Sequence, residues 1–414
     1  MAMNLFAEGL ADAGHTVRVL AVNTHKYNIR ESDIPGWYRE KTRIELIGVD
    51  LRVRPWPAFL NLFTSRSYHV ERFISGAFRE RLATVLREES FDIIQLETLF
   101  MAPYLDVIRA ETDTPVILRA HNIEHRIWQR IADTCPNPLK KMYLRHLANT
   151  LKTYELEVIR QVDGIIAITP TDADWFASHT HAHTHTPIPF HPVHPVHPDH
   201  PVHPVHPDHP VPSRPIPLIT SIPFGPDPAR YPTPGNDTAS PTLFSIGAMN
   251  WIPNQEGIRW FLREVWPALH RELPGLEYHL AGRAMPEWML NLRLPGLVVH
   301  GEVGNAGAFI GAHTVMIVPL FSGSGIRIKI LEGMAAGKTV ISTTLGAEGI
   351  LCSPGSDILL ADTADEFRES VRKAITNAAL RETMGRQARE TIAGRYHPKA
   401  LIAKLAAFYE ELKR

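Results

Sequence analysis

With 414 residues, 44% hydrophobic and 21% charged, the chain has a soluble globular composition and the length for two domains of about 150–200 residues each. Lys plus Arg (43) nearly cancels Asp plus Glu (44), which excludes a global field that would draw in nucleic acid or an anionic membrane. Two cysteines, Cys135 and Cys352, exclude a disulfide framework, and no C-x-x-C points to zinc or redox chemistry. No apolar run reaches the ~20 residues that span a bilayer, and residues 1–4 (MAMN) lack the features of a signal peptide. The expectation is a cytoplasmic protein without cofactor or metal.

The first half alternates strand-like and helix-like runs. Residues 16–22 (TVRVLAV) and 44–53 (IELIGVDLRV) read as strands. From Tyr68 to Glu89 apolar residues recur at helical spacing (Val70, Phe73, Ile74, Ala77, Phe78, Leu82, Val85, Leu86) and predict one helix. Strands follow at 92–96 and 115–118 with a helix near 101–111 between them. A long helical stretch over 138–161 then leads to a buried strand at 164–168 (GIIAI). Strands alternating with helices predict a parallel sheet covered on both faces.

From His179 to Pro217 the chain is dominated by His and Pro, and the unit HPVHPVHPD stands at 191–199 and again at 200–208. Proline at every third position removes backbone donors and fixes φ, so an extended, disordered insertion is expected over 179–215. Its imidazoles are loose ligands for Zn, Ni or Cu, but nothing in the repeat fixes a coordination geometry, and no metal site is assigned. A second α/β region starts at Pro241. Strands are expected at 242–247, 278–281, 297–300, 315–318 and 339–342. Helices are expected over 254–273, 326–336, 363–377, 379–394 and 398–413.

The most informative segment is 319–349 (PLFSGSGIRIKILEGMAAGKTVISTTLGAEG). A strand ends at Val318, a Gly/Ser loop follows, and a helix is expected from Ile326. Such a turn presents unbonded backbone N–H groups and the positive end of a helix dipole, which suits a diphosphate. Gly323 and Gly325 allow close backbone approach, and Arg327 and Lys329 add cationic donors. Taken alone, a glycine-rich loop also serves as an ordinary turn, and Lys329 with Glu332 also reads as a surface ion pair.

The run GSGIRIKILEGMAAGKTVIST resembles the donor-site motif of glycosyltransferase family 4, the retaining GT-B enzymes. Further segments resemble the same family: 9–22 (GLADAGHTVRVLAV), 91–105 (FDIIQLETLFMAPYL), 117–128 (ILRAHNIEHRIW), 222–232 (IPFGPDPARYP) and 245–261 (SIGAMNWIPNQEGIRWF). The resemblance implies an α/β GT-B fold, two Rossmann-like domains facing each other across a cleft. Its domains are an acceptor-side domain over 1–178, the insertion over 179–215, a domain end and linker over 216–240, a nucleotide-sugar-binding domain over 241–396, and a C-terminal helix over 397–414.

It also implies site residues. Glu332 matches the second glutamate of the motif, which holds the ribose, while the first glutamate falls on Ser324, a departure within a G-S-G-x-R-x-K variant. Gly323, Ser324, Gly325 and Ile326 form the donor loop, Gly247 opens the donor-side turn, and Gly301, Glu302 and Val303 match the segment that reads the base. His121 matches the histidine that faces the donor sugar. Family members place an Arg and a Lys after the first C-domain strand to neutralise the diphosphate. Those positions read Ala248, Met249 and Asn254 here, and Arg327 and Lys329 are expected to take over. The family's first strand and glycine-rich loop precede the helix that this sequence enters at about Asn4, which implies exposed sheet groups and low activity. The implied reaction is metal-independent, retaining hexosyl transfer from a nucleotide-sugar donor to a glycan or lipid-linked acceptor, with peripheral attachment at the inner membrane face. Two rival readings are a nucleotide-sugar epimerase of the same fold and a non-catalytic scaffold.

Overall fold

The computed structural model describes residues 2–24, 29–52, 56, 60–62, 64, 66–180, 216–231, 240–323 and 325–413. The His/Pro-rich insertion lies, from residue 181 on, outside the described residues, as does Ser324. Two compact units form: Gly14–Ser221 with Ala407–Arg414, and Met1–Ala13 with Ile222–Ala406.

In the unit built on Gly14–Ser221, β1 (Leu20–Thr24) and β2 (Glu45–Val49) make a two-stranded parallel sheet. A separate parallel sheet orders β3 (Ile94–Glu97), β4 (Val116–Ala120), β5 (Gly164–Ala167) and β6 (Leu218–Ser221) side by side. Every residue of β4 and β5 is buried, which is why β5 reads as an unbroken apolar run and β4 as one interrupted only by the buried Arg119. The edge strand β6 is half-exposed along its length and was not expected from its sequence. The single helix expected over 68–89 is two, Tyr68–Glu71 and Gly76–Glu88. Ser75 separates them, because its hydroxyl accepts the Phe78 N–H and caps the second.

In the other unit six parallel strands lie in the order β12 (Leu359–Leu360), β11 (Thr339–Ser342), β10 (Val315–Val318), β7 (Leu243–Ala248), β8 (Tyr278–Arg283) and β9 (Leu297–Gly301). The chain runs outward from β7 to β9, returns, and runs outward again from β10 to β12. The order therefore reverses between β7 and β10, and the carboxyl ends of those strands are where open α/β sheets bind ligands. Apolar clusters cover the sheet: one holds Phe244, Met316, Ile330 and Met334, another Leu243, Ile317, Phe261 and Trp266. The helix expected over 254–273 is interrupted: Ile252–Trp260, a wide turn over Phe261–Val265, then Trp266–Glu272. Pro267 lacks the N–H that a regular α-turn would use there. The first helix, Ala2–Asp12, packs in this unit, with Phe6 edge-on to Phe224 at 5.8 Å. No helix among the described residues is long and apolar enough to cross a membrane.

Candidate functional site

At the switch point the loop after β10 meets the helix Ile252–Trp260. A Cβ added to Gly257 would lie 1.7 Å from the Pro319 carbonyl oxygen, so helix and loop touch backbone to backbone and only glycine fits. Gly323 (φ 113°) and Gly325 (φ 79°) both lie in the left-handed region, where a side chain is strained. The Gly323 backbone also presses on the Trp251 ring, within 2.9 Å of where a Cβ would stand. The helix expected from Ile326 begins at Ile328 and runs to Ala335, with Arg327 as an N-cap that makes no side-chain cap. The two residues before Ile328 stay outside the helix because Arg327 folds back: its Nη1 donates to the Gly325 carbonyl, and its guanidinium stands 5.8 Å from the Trp251 ring centre.

Lys329, on the first turn, is turned inward. Its Nζ donates to Asn254 Oδ1 at 2.6 Å, and Asn254 Nδ2 donates to the Ala248 carbonyl at 2.8 Å. The ammonium stands 3.6 Å from where a Gly247 side chain would begin, at the end of β7. Burial and the neighbouring charge of Arg327 push Lys329 down to about 7. One turn on, burial raises the Glu332 carboxyl above its ordinary value, opposed by a hydrogen bond with the Tyr231 side chain. Lys329 and Glu332 share a helix face, yet each is bonded to a different partner. The structure thus brings Gly247, Gly323, Gly325, Arg327 and Lys329 together. Gly301, Glu302 and Val303 lie at the end of β9, two strands from β7. Gly301 is in the left-handed region (φ 71°), and Val303 packs on the core while Glu302 is exposed.

His121 belongs to the other unit, one residue beyond β4. Its Nε2 pairs with Glu97 Oε2 at 2.9 Å, and in the neutral ring this makes Nε2 the donor and Nδ1 an acceptor. Glu97 Oε1 accepts from Gln95 Nε2 at 2.6 Å, and Gln95 in turn accepts the Tyr409 hydroxyl at 2.7 Å. The fully buried Arg119 stands 3.6 Å from Glu97. Burial alone would raise the Glu97 carboxyl, but the His121 hydrogen bond and the Arg119 charge hold it below the usual range. Next in the chain, the helix Glu124–Thr134 begins against Glu155, which accepts the Glu124 N–H at 2.9 Å and pairs with His125 Nδ1 at 2.6 Å. Burial and the Glu155 charge push Glu124 up to about 7.

Sequence reasoning missed Glu97, Tyr231 and Trp251, and met Asn254 only as the place of a missing lysine. A carboxylate at the end of β3, beside a histidine at the end of β4, was the one signal available.

Residues 240–377 match the family described as glycosyl transferases group 1, and residues 2–190 match the glycosyl transferase 4-like domain. A protein of Klebsiella pneumoniae described as an uncharacterized 44.6 kDa protein in the cps region is 24% identical over 135 residues, 30% of this chain and 35% of that protein. The match thus spans about a third of that curated relative. Among solved structures, sucrose-phosphate synthase from Thermosynechococcus elongatus superposes with a TM-score of 0.65 at 14% identity, covering 98% of this chain and 91% of that one. Anabaena Alr3699/HepE in complex with UDP gives 0.62 at 11%, covering 99% and 96%. At such identities the structures speak for the fold alone, and that fold is GT-B. With both halves of its sequence matched, the chain belongs to the group 1, glycosyltransferase 4-like family.

Proposed function

We propose that this chain transfers a sugar from a nucleoside-diphosphate sugar to a hydroxyl acceptor, retaining the anomeric configuration, in the assembly of a polysaccharide or glycolipid. The observation that carries the reading is Lys329, a buried ammonium held by Asn254 against the end of β7. It brings a cation from the helix after β10 to the end of β7, which supports its standing in for the cations that the family carries after the first C-domain strand. Together with Arg327 and the uncapped helix start at Ile328, it offers positive charge where the leaving diphosphate gains negative charge. Cationic side chains, rather than a metal ion, take that charge. Glu332, steadied by Tyr231, holds the ribose hydroxyls, and the segment from Gly301 to Val303 reads the base. His121, braced by Glu97, meets the sugar. The UDP named in the Anabaena structure supports a nucleoside diphosphate as the ligand class. Leu139 and Met142, exposed beside Lys140 and Lys141, support peripheral attachment to the inner membrane face, where a lipid-linked acceptor resides.

Calorimetric titration of the chain and of Glu332→Ala with UDP, GDP, ADP and their sugar conjugates tests the donor site. One nucleotide should bind selectively, and the variant should lose it. A folded protein that binds none of them is a scaffold. Conversion of the donor sugar without any acceptor marks an epimerase instead.

A further inference from the structure

Three histidines converge beside the β8–β9 pairing: two stand at the amino ends of β8 and β10, and the third near the carboxyl end of β9. His279 is the second residue of β8, His313 precedes β10, and His300 stands on the edge strand β9. The β8–β9 pairing runs Leu280 with Val299 and then Ala281 with Gly301, so the register skips His300. Such an irregularity re-aims a side chain. His279 Nδ1 lies 3.0 Å from His300 Nε2, the His279 and His313 rings are 4.1 Å apart, and one nitrogen from each of the three falls within 4.8 Å of the others.

We propose that His279, His300 and His313 bind a first-row divalent cation of the zinc class. Zinc–imidazole bonds of about 2.0–2.1 Å place tetrahedral ligand nitrogens about 3.3 Å apart, and the exposed His300 has the freedom to complete that spacing. The partners behind the ligands are the stronger argument. Glu277 Oε2 stands 3.2 Å from His279 Nε2, which directs Nδ1 toward the cluster. Thr242 Oγ1 stands 3.2 Å from His313 Nδ1 and, accepting from it, would leave Nε2 as the ligand. A carboxylate or hydroxyl behind a ligating histidine is the arrangement that fixes its tautomer and raises its basicity. Lys338 is turned away to the Gly311 carbonyl at 2.9 Å. Three imidazoles and a water make four positions, with Glu277 offsetting the ion's charge.

Titration of the full chain with Co²⁺, read by visible absorption, tests the site. Wild type should take one equivalent with the intense bands of a four-coordinate ion, displaced by Zn²⁺. His300→Ala, on an exposed position where folding is not at stake, should lose that equivalent, and Glu277→Gln should weaken it about tenfold. Loose binding by the His/Pro repeat is common to all three proteins and cancels in the comparison. Wild type without four-coordinate bands, or bands that persist undiminished in His300→Ala, would overturn the proposal.

Discussion

If Lys329 meets the diphosphate as proposed, nucleotide binding should be coupled to uptake of a proton. In the free protein its ammonium is held at about 7, so at pH 8.5 only about 3% of the molecules carry the charge. A diphosphate beside Nζ restores an environment in which lysine titrates near its ordinary 10.5, and the bound state is then almost fully charged. Binding at pH 8.5 should therefore take up close to one proton, and affinity should fall about tenfold for each pH unit above 7. Over the whole span from 7 to 10.5 the effect is at most about 5 kcal/mol. Calorimetry with the best-bound nucleoside diphosphate, in two pH 8.5 buffers of different ionisation enthalpy, measures the proton count directly. Lys329→Met should bind weakly with no uptake, which also removes any contribution from the base. The unliganded protein supplies a check of sign. Between 7 and 10.5 its unfolded state holds more protons than its folded state, so stability should rise with pH across that window in wild type and not in Lys329→Met. A proton count near zero in wild type, or the same count in the variant, would refute the reasoning.

Three further outcomes follow from the packing. Gly257→Ala drives a methyl to 1.7 Å from the Pro319 oxygen; it should cost about 3 kcal/mol or more in denaturant unfolding and weaken nucleotide binding, because helix and loop must separate. Glu124, raised to about 7, penalises the folded state increasingly as pH climbs from the ordinary carboxyl value to 7. Glu124→Gln should therefore raise stability by about 3 kcal/mol at pH 8 and change it little at pH 4, as thermal unfolding at the two pH values will show. Glu97→Gln strips the fully buried Arg119 of its carboxylate and should cost about 3 kcal/mol. Glu97→Gln/Arg119→Met should recover part of that loss, a double-mutant result that chemical denaturation can resolve.

Strands buried on both faces were legible because burial writes itself into consecutive apolar residues: GIIAI, VMIV and TVIS each read as strands and each became one. The half-exposed β6 carries no such run, and its place at the sheet edge depends on pairing with β5, 54 positions earlier from Gly164 to Leu218. The helix break at Ser75 was open to the sequence in principle, since serine is a capping residue, but the apolar spacing outweighed it. In the loop and helix after β10 the glycines, the cations and Glu332 could be named from their order along the chain and from the resemblance. Their partners could not. Lys329 and Asn254 are 75 residues apart, Glu332 meets Tyr231 across a comparable separation, and His279, His300 and His313 come from different elements. Local order and hydrophobic period are properties of neighbours in sequence, and they determined the α/β class, most elements and the loop. Which side chain a buried charge bonds, and therefore where its pKa lies, depends on groups that become neighbours only when the sheet assembles, and that was decided by tertiary structure alone.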